Sequence, residues 1–230
     1  TQDFDIVTKT RGFDQEVITE KVASFVINDL YQSLKLLKQK SLYGLLVHHG
    51  EDLLKPGGEM IFNQLKILKE QGLVNKIGVS AYIDSQLIKI IDRFDIDIIQ
   101  FPMNILDRRL IDNGLLHKIY SKGIEIHTRS IFLQGLLLMD HKKRPNQFKR
   151  WSSLWKFWHE WLADNKLSAL EATIRYMISI PEISRVLVGV DNKDQLQNII
   201  NAIDGNLPPI PEELSINDTD LLNPANWRDL

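Results

Sequence analysis

The sequence predicts an α/β protein of the (β/α)8 TIM-barrel type, with about six strand–helix units and a C-terminal extension. Three observations carry this. Short apolar runs alternate with amphipathic stretches along the chain, which is the pattern of parallel strands joined by helical crossovers. The runs are almost uniformly apolar, as buried strands of a parallel sheet are. A polar residue closes five of the six runs, and the carboxyl ends of barrel strands are where such folds carry reactive groups.

Taken in order, residues 4–8 (FDIVT) form a short strand ending at Lys9. From about 16 to 40, Val22, Phe25, Val26, Leu30, Leu34 and Leu37 recur at three- and four-residue steps, so one amphipathic helix is expected. The stretch 43–50, YGLLVHHG, is a buried strand ending at His48. Pro56 and two glycines mark a loop, and Ile61, Leu65 and Leu68 carry a helix that stops at Gly72. A strand over 76–79 ends at Ser80, and Asp84 or Ser85 caps the helix that follows. A strand over 97–99 ends at Gln100, just before Pro102, which cannot continue a ladder. Residues 108–122 read as a helix stopped by Gly123, and 124–128 as a strand ending at Arg129.

The regular beat then breaks. Residues 130–139 are apolar around Gly135, and 141–150 form a basic, proline-containing insert. Trp151, Trp155, Trp158 and Leu162 share a helical face, which is expected to pack in the core. The insert reads as a solvated loop rather than a nucleic-acid patch. Ser168 caps a further helix, 185–188 is the last strand and 192–203 the last helix. Residues 204–230 hold four of the eight prolines and little periodicity, so the expected division is a barrel over 1–203 and an irregular extension over 204–230.

Composition narrows the function classes. With 230 residues and 43% apolar content the chain can bury one sizeable core. Basic and acidic residues number 28 and 30, so the net charge of −2 gives no electrostatic reason to bind nucleic acid or membrane. No cysteine is present, which removes disulfides, thiolate metal sites and cysteine nucleophiles. No segment resembles a signal peptide or a run of about 20 apolar residues, and a cytoplasmic location is the expectation. Six units are two short of a closed barrel, which needs eight in about 250 residues. The chain begins at Thr1 and enters strand-like sequence at once. The expectation is therefore that an initiator Met was trimmed or that preceding residues are missing.

The strand-end residues Lys9, His48, Ser80, Gln100 and Arg129, with Ser130 beside the last, are the candidates for chemistry. Lys9 is either a solvated lysine or one whose pKa burial or a carboxylate would shift. Adjacent strand residues point to opposite faces, so His48 and His49 cannot hold one metal ion. His48 is either a structural histidine or a neutral group that orients a carbonyl. Glu125 and His127 share a face but make too small a set for a metal, and none is expected. Ser80 and Gln100 offer groups that could read a planar carboxamide. RSIFLQG at 129–135 places an arginine, a hydroxyl and a glycine where a pyrophosphate could lie, without the GxGxxG pattern.

Taken together, DIVTK around Lys9, YGLLVHH around His48, GLVNKIGVS ending at Ser80, DIIQFPMNILDRRL around Gln100, GIEIHTRSIFLQGLL, VLVGVDNKDQL and LLNPANW resemble the aldo-keto reductase family. The resemblance runs from about residue 3 to 203 and aligns the chain with strands 3 to 8 of the family. It implies a (β/α)8 barrel that binds NADP or NAD across its top and reduces an aldehyde or ketone by hydride transfer, or oxidises the alcohol. It matches Lys9 to the family's catalytic lysine and His48 to the histidine that orients the carbonyl. Ser80 and Gln100 match groups that hold the carboxamide, and Ser130 and Gly135 the pyrophosphate loop. Val190, Asp191, Gln195 and Asn198 fall where the adenosine end is held.

Departures from the pattern are informative. The family's aspartate and proton-donating tyrosine have no counterpart in this sequence. Tyr82, two residues past Ser80, is the one tyrosine near a strand end that could stand in. Ala81 replaces a usual asparagine, Arg129 stands where many members stack an aromatic ring, and Gln195 replaces a frequent arginine, which leaves NAD against NADP open. Two readings therefore stand. One is an NAD(P)-dependent oxidoreductase acting on a small carbonyl substrate. The other is an inactive barrel serving as a binding or structural subunit, its open edge covered by self-association or a partner chain.

Overall fold

A computed structural model describes residues 4–229. Strands and helices alternate as β1 (Val7–Lys9), α1 (Glu20–Ala23), α2 (Phe25–Leu37), β2 (Leu42–Val47), α3 (Glu59–Glu70), β3 (Val74–Ser80), α4 (Ser85–Arg93) and β4 (Ile98–Pro102). They continue as α5 (Arg109–Asp112), α6 (Leu115–Ser121), β5 (Glu125–Arg129), α7 (Ser152–Asp164), α8 (Ala169–Ile178), β6 (Arg185–Val186), α9 (Lys193–Ala202) and α10 (Thr219–Leu222). The strands form one sheet in sequence order, β1-β2-β3-β4-β5-β6, and β1 to β4 pair in parallel. Helix crossovers between sequentially adjacent parallel strands define the (β/α)8 barrel type. Among the described residues no helix is long and apolar enough to cross a membrane.

The chain divides into two compact units. The first holds the described residues up to Phe101 together with Lys118–His127, and the second holds Pro102–His117 and the described residues from Thr128 on. In the first unit Leu45, Leu46 and Val47 of β2, Ile77 and Val79 of β3 and Ile98 and Ile99 of β4 are buried. Ile61, Leu65 and Leu68 of α3 and Leu87 and Ile90 of α4 supply the helical side of that core. These are the apolar positions that the strand and helix periods select. Asp84 caps α4 by accepting from the Gln86 and Leu87 N–H groups.

One charged cluster in this unit is built from three strands. The Tyr43 hydroxyl donates to Glu125 Oε2 at 2.7 Å, Lys76 Nζ pairs with the same oxygen, and His127 Nε2 lies 2.8 Å from Glu125 Oε1. Burial pushes the Glu125 carboxyl up, but hydrogen bonds from His127, Lys76 and Tyr43 outweigh it and bring the pKa from 4.5 down to about 2. The same hydrogen bond from Lys76 to Glu125 raises the lysine.

The second unit packs around Trp158, which is fully buried and donates from its indole N–H to the Leu137 carbonyl at 3.2 Å. Trp155, Trp161 and Leu162 are buried with it, so the tryptophan stripe does pack inward. Ser168 and Glu171 form a capping box at the start of α8. Arg175 on α8 holds the following chain by donating to the carbonyls of Ala202, Asp204 and Asn206 and to Glu171. Residues 204–229 are not wholly irregular, since α10 and short 3-10 turns lie within them. Asp218 accepts from Arg150 and from the Trp151 indole.

Several boundaries differ from the sequence reading. The helix expected over 16–40 is two helices that break at Ser24, whose hydroxyl donates to the Lys21 carbonyl. The helix expected over 108–122 is likewise two, separated by Asn113 and Gly114, with φ of 72° at the glycine. Pro102 lies inside β4 rather than beyond it. Alternate residues of a strand bond to alternate neighbours, and Met103 donates to Arg129 on β5. The missing Pro102 N–H faces the side opposite to that bond, at the last residue of β4, where a proline is tolerated.

Candidate functional site

In the first unit the parallel register brings the strand ends to within two residues of one another. Lys9 lies opposite Leu46, Val47 opposite Val79 and Ser80 opposite Gln100. Counting by the two-residue alternation puts Lys9, Ser80 and Gln100 on one face of the sheet, while His48 follows the end of β2 at Val47 in a bend. Ser80 and Gln100 are buried, Lys9 is half-buried and His48 is exposed. Thr10 ties the first two strand ends together: its N–H donates to the Leu46 carbonyl at 2.9 Å, and its hydroxyl accepts from the His48 N–H at 3.3 Å. Contrary to the expectation from strand alternation, His48 and His49 do not point to opposite faces: both lie beyond the end of β2 at Val47, and their rings sit 4.6 Å apart. Ala81 continues the ladder, donating to the Gln100 carbonyl at 2.8 Å.

In the second unit a groove of about 670 Å³ collects Ser130, Gly135, Val190, Asp191, Gln195 and Asn198. Its volume lies within the range of small-molecule sites, roughly 300–1,000 Å³. The segment after β5 turns sharply, with left-handed φ at Ser130 (58°), Leu133 (48°), Gln134 (53°) and Gly135 (83°). A Cβ at Gly135 would meet no atom within 4 Å, so the bare backbone leaves this wall of the groove open. On the opposite wall, Asn192 caps α9 by accepting from the Gln195 N–H at 2.9 Å, and Gln195 Oε1 accepts from the Asp191 N–H at 2.8 Å. Asn198 lies one turn further along α9. The groove thus has the positive end of a helix dipole on one side and a glycine loop on the other.

Arg129 closes β5 and its carbonyl accepts from Met103, but it is not among the residues that line the groove. The groove also uses residues that the sequence reading passed over. Gln134, Leu187 and Val188 line it. The first lies inside the RSIFLQG segment already marked for a pyrophosphate, so its type and place were visible signals. Among the lining residues none is lysine or arginine, and Asp191 is the one charged group. Among the described residues no group of three histidine, aspartate or glutamate side chains could hold a metal ion.

Parallel strands in sequence order joined by helical crossovers define a barrel-type α/β protein. The model of the aldo/keto reductase family matches residues 2–213, and the chain belongs to that family. Among solved structures, an aldo-keto reductase from Bacillus halodurans in its holo form is similar with a TM-score of 0.71 and 19% identity, over 90% of this chain and 70% of that one. A thermostable aldo-keto reductase bound to the inhibitor epalrestat gives 0.61 and 20%, over 91% and 68%. A Pseudomonas aeruginosa protein described as an aldo-keto reductase gives 0.60 and 16%, over 87% of this chain and 64% of its own length. At these identities the likeness is one of fold. No match to a curated protein was found.

Proposed function

We propose that the protein is an NAD(P)-dependent carbonyl reductase, and that the groove in the second unit takes the pyrophosphate and adenosine part of the dinucleotide. The observation that carries this reading is the groove itself, in which Ser130 and Gly135 face Asp191, Gln195 and Asn198. The loop N–H groups and the α9 N-terminus suit a pyrophosphate, and Gln195 and Asn198 suit the polar edges of a nucleoside. The bound cofactor supplies the hydride. With no lining cation and with the Asp191 carboxylate present, the groove favours a free ribose diol over a 2′-phosphate, and so NAD over NADP.

In the first unit, Ser80 and Gln100 hold a carboxamide, and His48 donates to a carbonyl oxygen and orients it. Lys9 is the cation that lowers the pKa of a proton-donating hydroxyl. The chain spans 64% of the Pseudomonas aeruginosa relative, and the activity is that of the protein as its gene encodes it, including any sequence ahead of Thr1.

Two variants of that protein separate the roles. His48→Ala is expected to lower kcat about 100-fold while NADH affinity stays within about twofold. Asn198→Ala is expected to weaken NADH about fivefold, the loss of one hydrogen bond, with kcat nearly unchanged. Steady-state kinetics and fluorescence titration read both. A reversed pattern, with cofactor binding lost in His48→Ala, contradicts the assignment.

A further inference from the structure

The basic insert and the tryptophan helix come together at a second cavity. His141, Lys142, Arg144, Pro145, Phe148 and Lys149 from the insert, with Trp155, Lys156 and His159 from α7, line a space of about 620 Å³. It shares no lining residue with the groove given to the dinucleotide. Its walls combine an apolar surface from Pro145, Phe148 and Trp155 with four permanent cations. Against these stands one lining carboxylate, Glu160, 3.7 Å from Lys156.

Arg144 is the fixed point of this cavity. Its guanidinium lies 4.1 Å from the Trp155 ring centroid. Its Nη2 donates to the Met139 carbonyl at 3.1 Å and the Leu136 carbonyl at 3.4 Å, and lies 3.3 Å from His159 Nε2. None of these partners carries a negative charge, and the buried Nε has no acceptor. Burial lowers the pKa of Arg144, against the weaker pull of Asp140. Burial and then Arg144 and His141 lower that of His159, which leaves the ring neutral near pH 7. Asp140 lies beside His141 at 3.4 Å, and Lys142 and Lys149 make no ion pair among the described residues. The half-buried guanidinium has only neutral hydrogen-bond partners and no ion pair with Asp140, so an anion in the cavity would complete it.

We propose that this cavity binds a small organic anion, an apolar body carrying a carboxylate or a phosphate. The space is too large for an inorganic ion and falls in the size range of small-molecule sites. The anionic group meets Arg144 and the flexible Lys142 and Lys149, and the apolar body lies against Phe148 and Trp155. The basic insert is thus one wall of a site, and Trp155 of the tryptophan stripe part of its floor.

The test is calorimetric titration of the chain with phenyl phosphate, benzoate and the neutral control benzyl alcohol. It is read in parallel by 19F NMR of 5-fluorotryptophan protein, with the position-155 signal assigned through Trp155→Phe. At least one anion is expected to bind with Kd below about 1 mM and to shift the 155 signal, with benzyl alcohol at least about tenfold weaker. Which probe binds tighter identifies the head group. The exposed double variant Lys142→Glu/Lys149→Glu is expected to weaken the anion at least about tenfold. Three results overturn the proposal: no saturable binding of either anion up to about 10 mM, equal affinity in the double variant, or displacement of the anion by NADH.

Discussion

Replacing Gly78 by alanine is expected to lower the melting temperature by about 10 °C and stability by more than about 3 kcal/mol. Gly78 sits in β3 opposite Ile98 of β4, and an added Cβ would lie 1.8 Å from the Ile98 carbonyl oxygen and 2.7 Å from its carbon. Both are backbone atoms of a paired strand, so no rotamer change relieves the overlap. The two strands must separate or slip, and a one-residue slip turns every side chain of a strand to the other face. Ser80 and Gln100 are two residue pairs beyond this contact on the same two strands, so their pairing goes with it. Gly72→Ala is the control. Its φ of 71° strains any side chain, but a Cβ there meets nothing within 4 Å, so the cost is about 1–2 kcal/mol. Thermal denaturation of both variants decides the matter. Equal losses would mean that the close approach of β3 and β4 does not limit this sheet.

The second large effect is on acid stability. Glu125 is held at a pKa of about 2 in the folded chain against an ordinary value of 4.5, so the unfolded chain takes up the proton more readily. The resulting stabilisation is fully present above pH 4.5 and is lost as pH falls from there toward about 2. A shift of this size corresponds to roughly 3 kcal/mol. Glu125→Gln removes the titrating group and leaves Lys76 and His127 without their shared carboxylate. The variant is expected to be less stable at neutral pH by roughly 3 kcal/mol and to lose the part of the pH dependence that lies between 4.5 and 2. Urea midpoints measured across that window for both chains give the difference directly. Parallel curves would show that Tyr43, Lys76 and His127 do not hold the charge.

The strand ends were legible because a buried parallel strand has a simple signature. An apolar run must stop where the chain leaves the sheet, and the residue at that stop is polar if it faces a cavity. Ser80 and Gln100 were readable as the polar stops of two apolar runs, and the parallel register makes them neighbours. The break at Ser24 was not legible, because the apolar period continues through it, whereas Asn113-Gly114 is a turn signal that the continuing period at Ile111, Leu115 and Ile119 masked. The Glu125 cluster was half visible. Glu125 and His127 stood two apart on one strand, but Tyr43 and Lys76 lie 82 and 49 residues away in sequence and join them only through the sheet. The tryptophan stripe packs inward at Trp155 and Trp158, with Trp151 half-buried. The basic insert is more than a solvated loop, since it carries a 3-10 turn over Asn146–Trp151 with Phe148 buried. The cavity beside it depends on where Arg144 folds back onto Trp155.

The proposed dinucleotide site follows the same division. Ser130, Gly135, Asp191, Gln195 and Asn198 were named from two separate motifs, and the structure gathers them in one groove. That groove also shows its lack of lysine and arginine, which a motif match cannot convey. The most direct test of the central reading is fluorescence titration of this chain with NADH and with NADPH. The account expects saturable NADH binding with Kd near micromolar, and NADPH weaker by about tenfold because its 2′-phosphate meets Asp191 and no cation. If neither dinucleotide binds at up to about 1 mM, the groove is not a cofactor site and the proposed reductase activity loses its support.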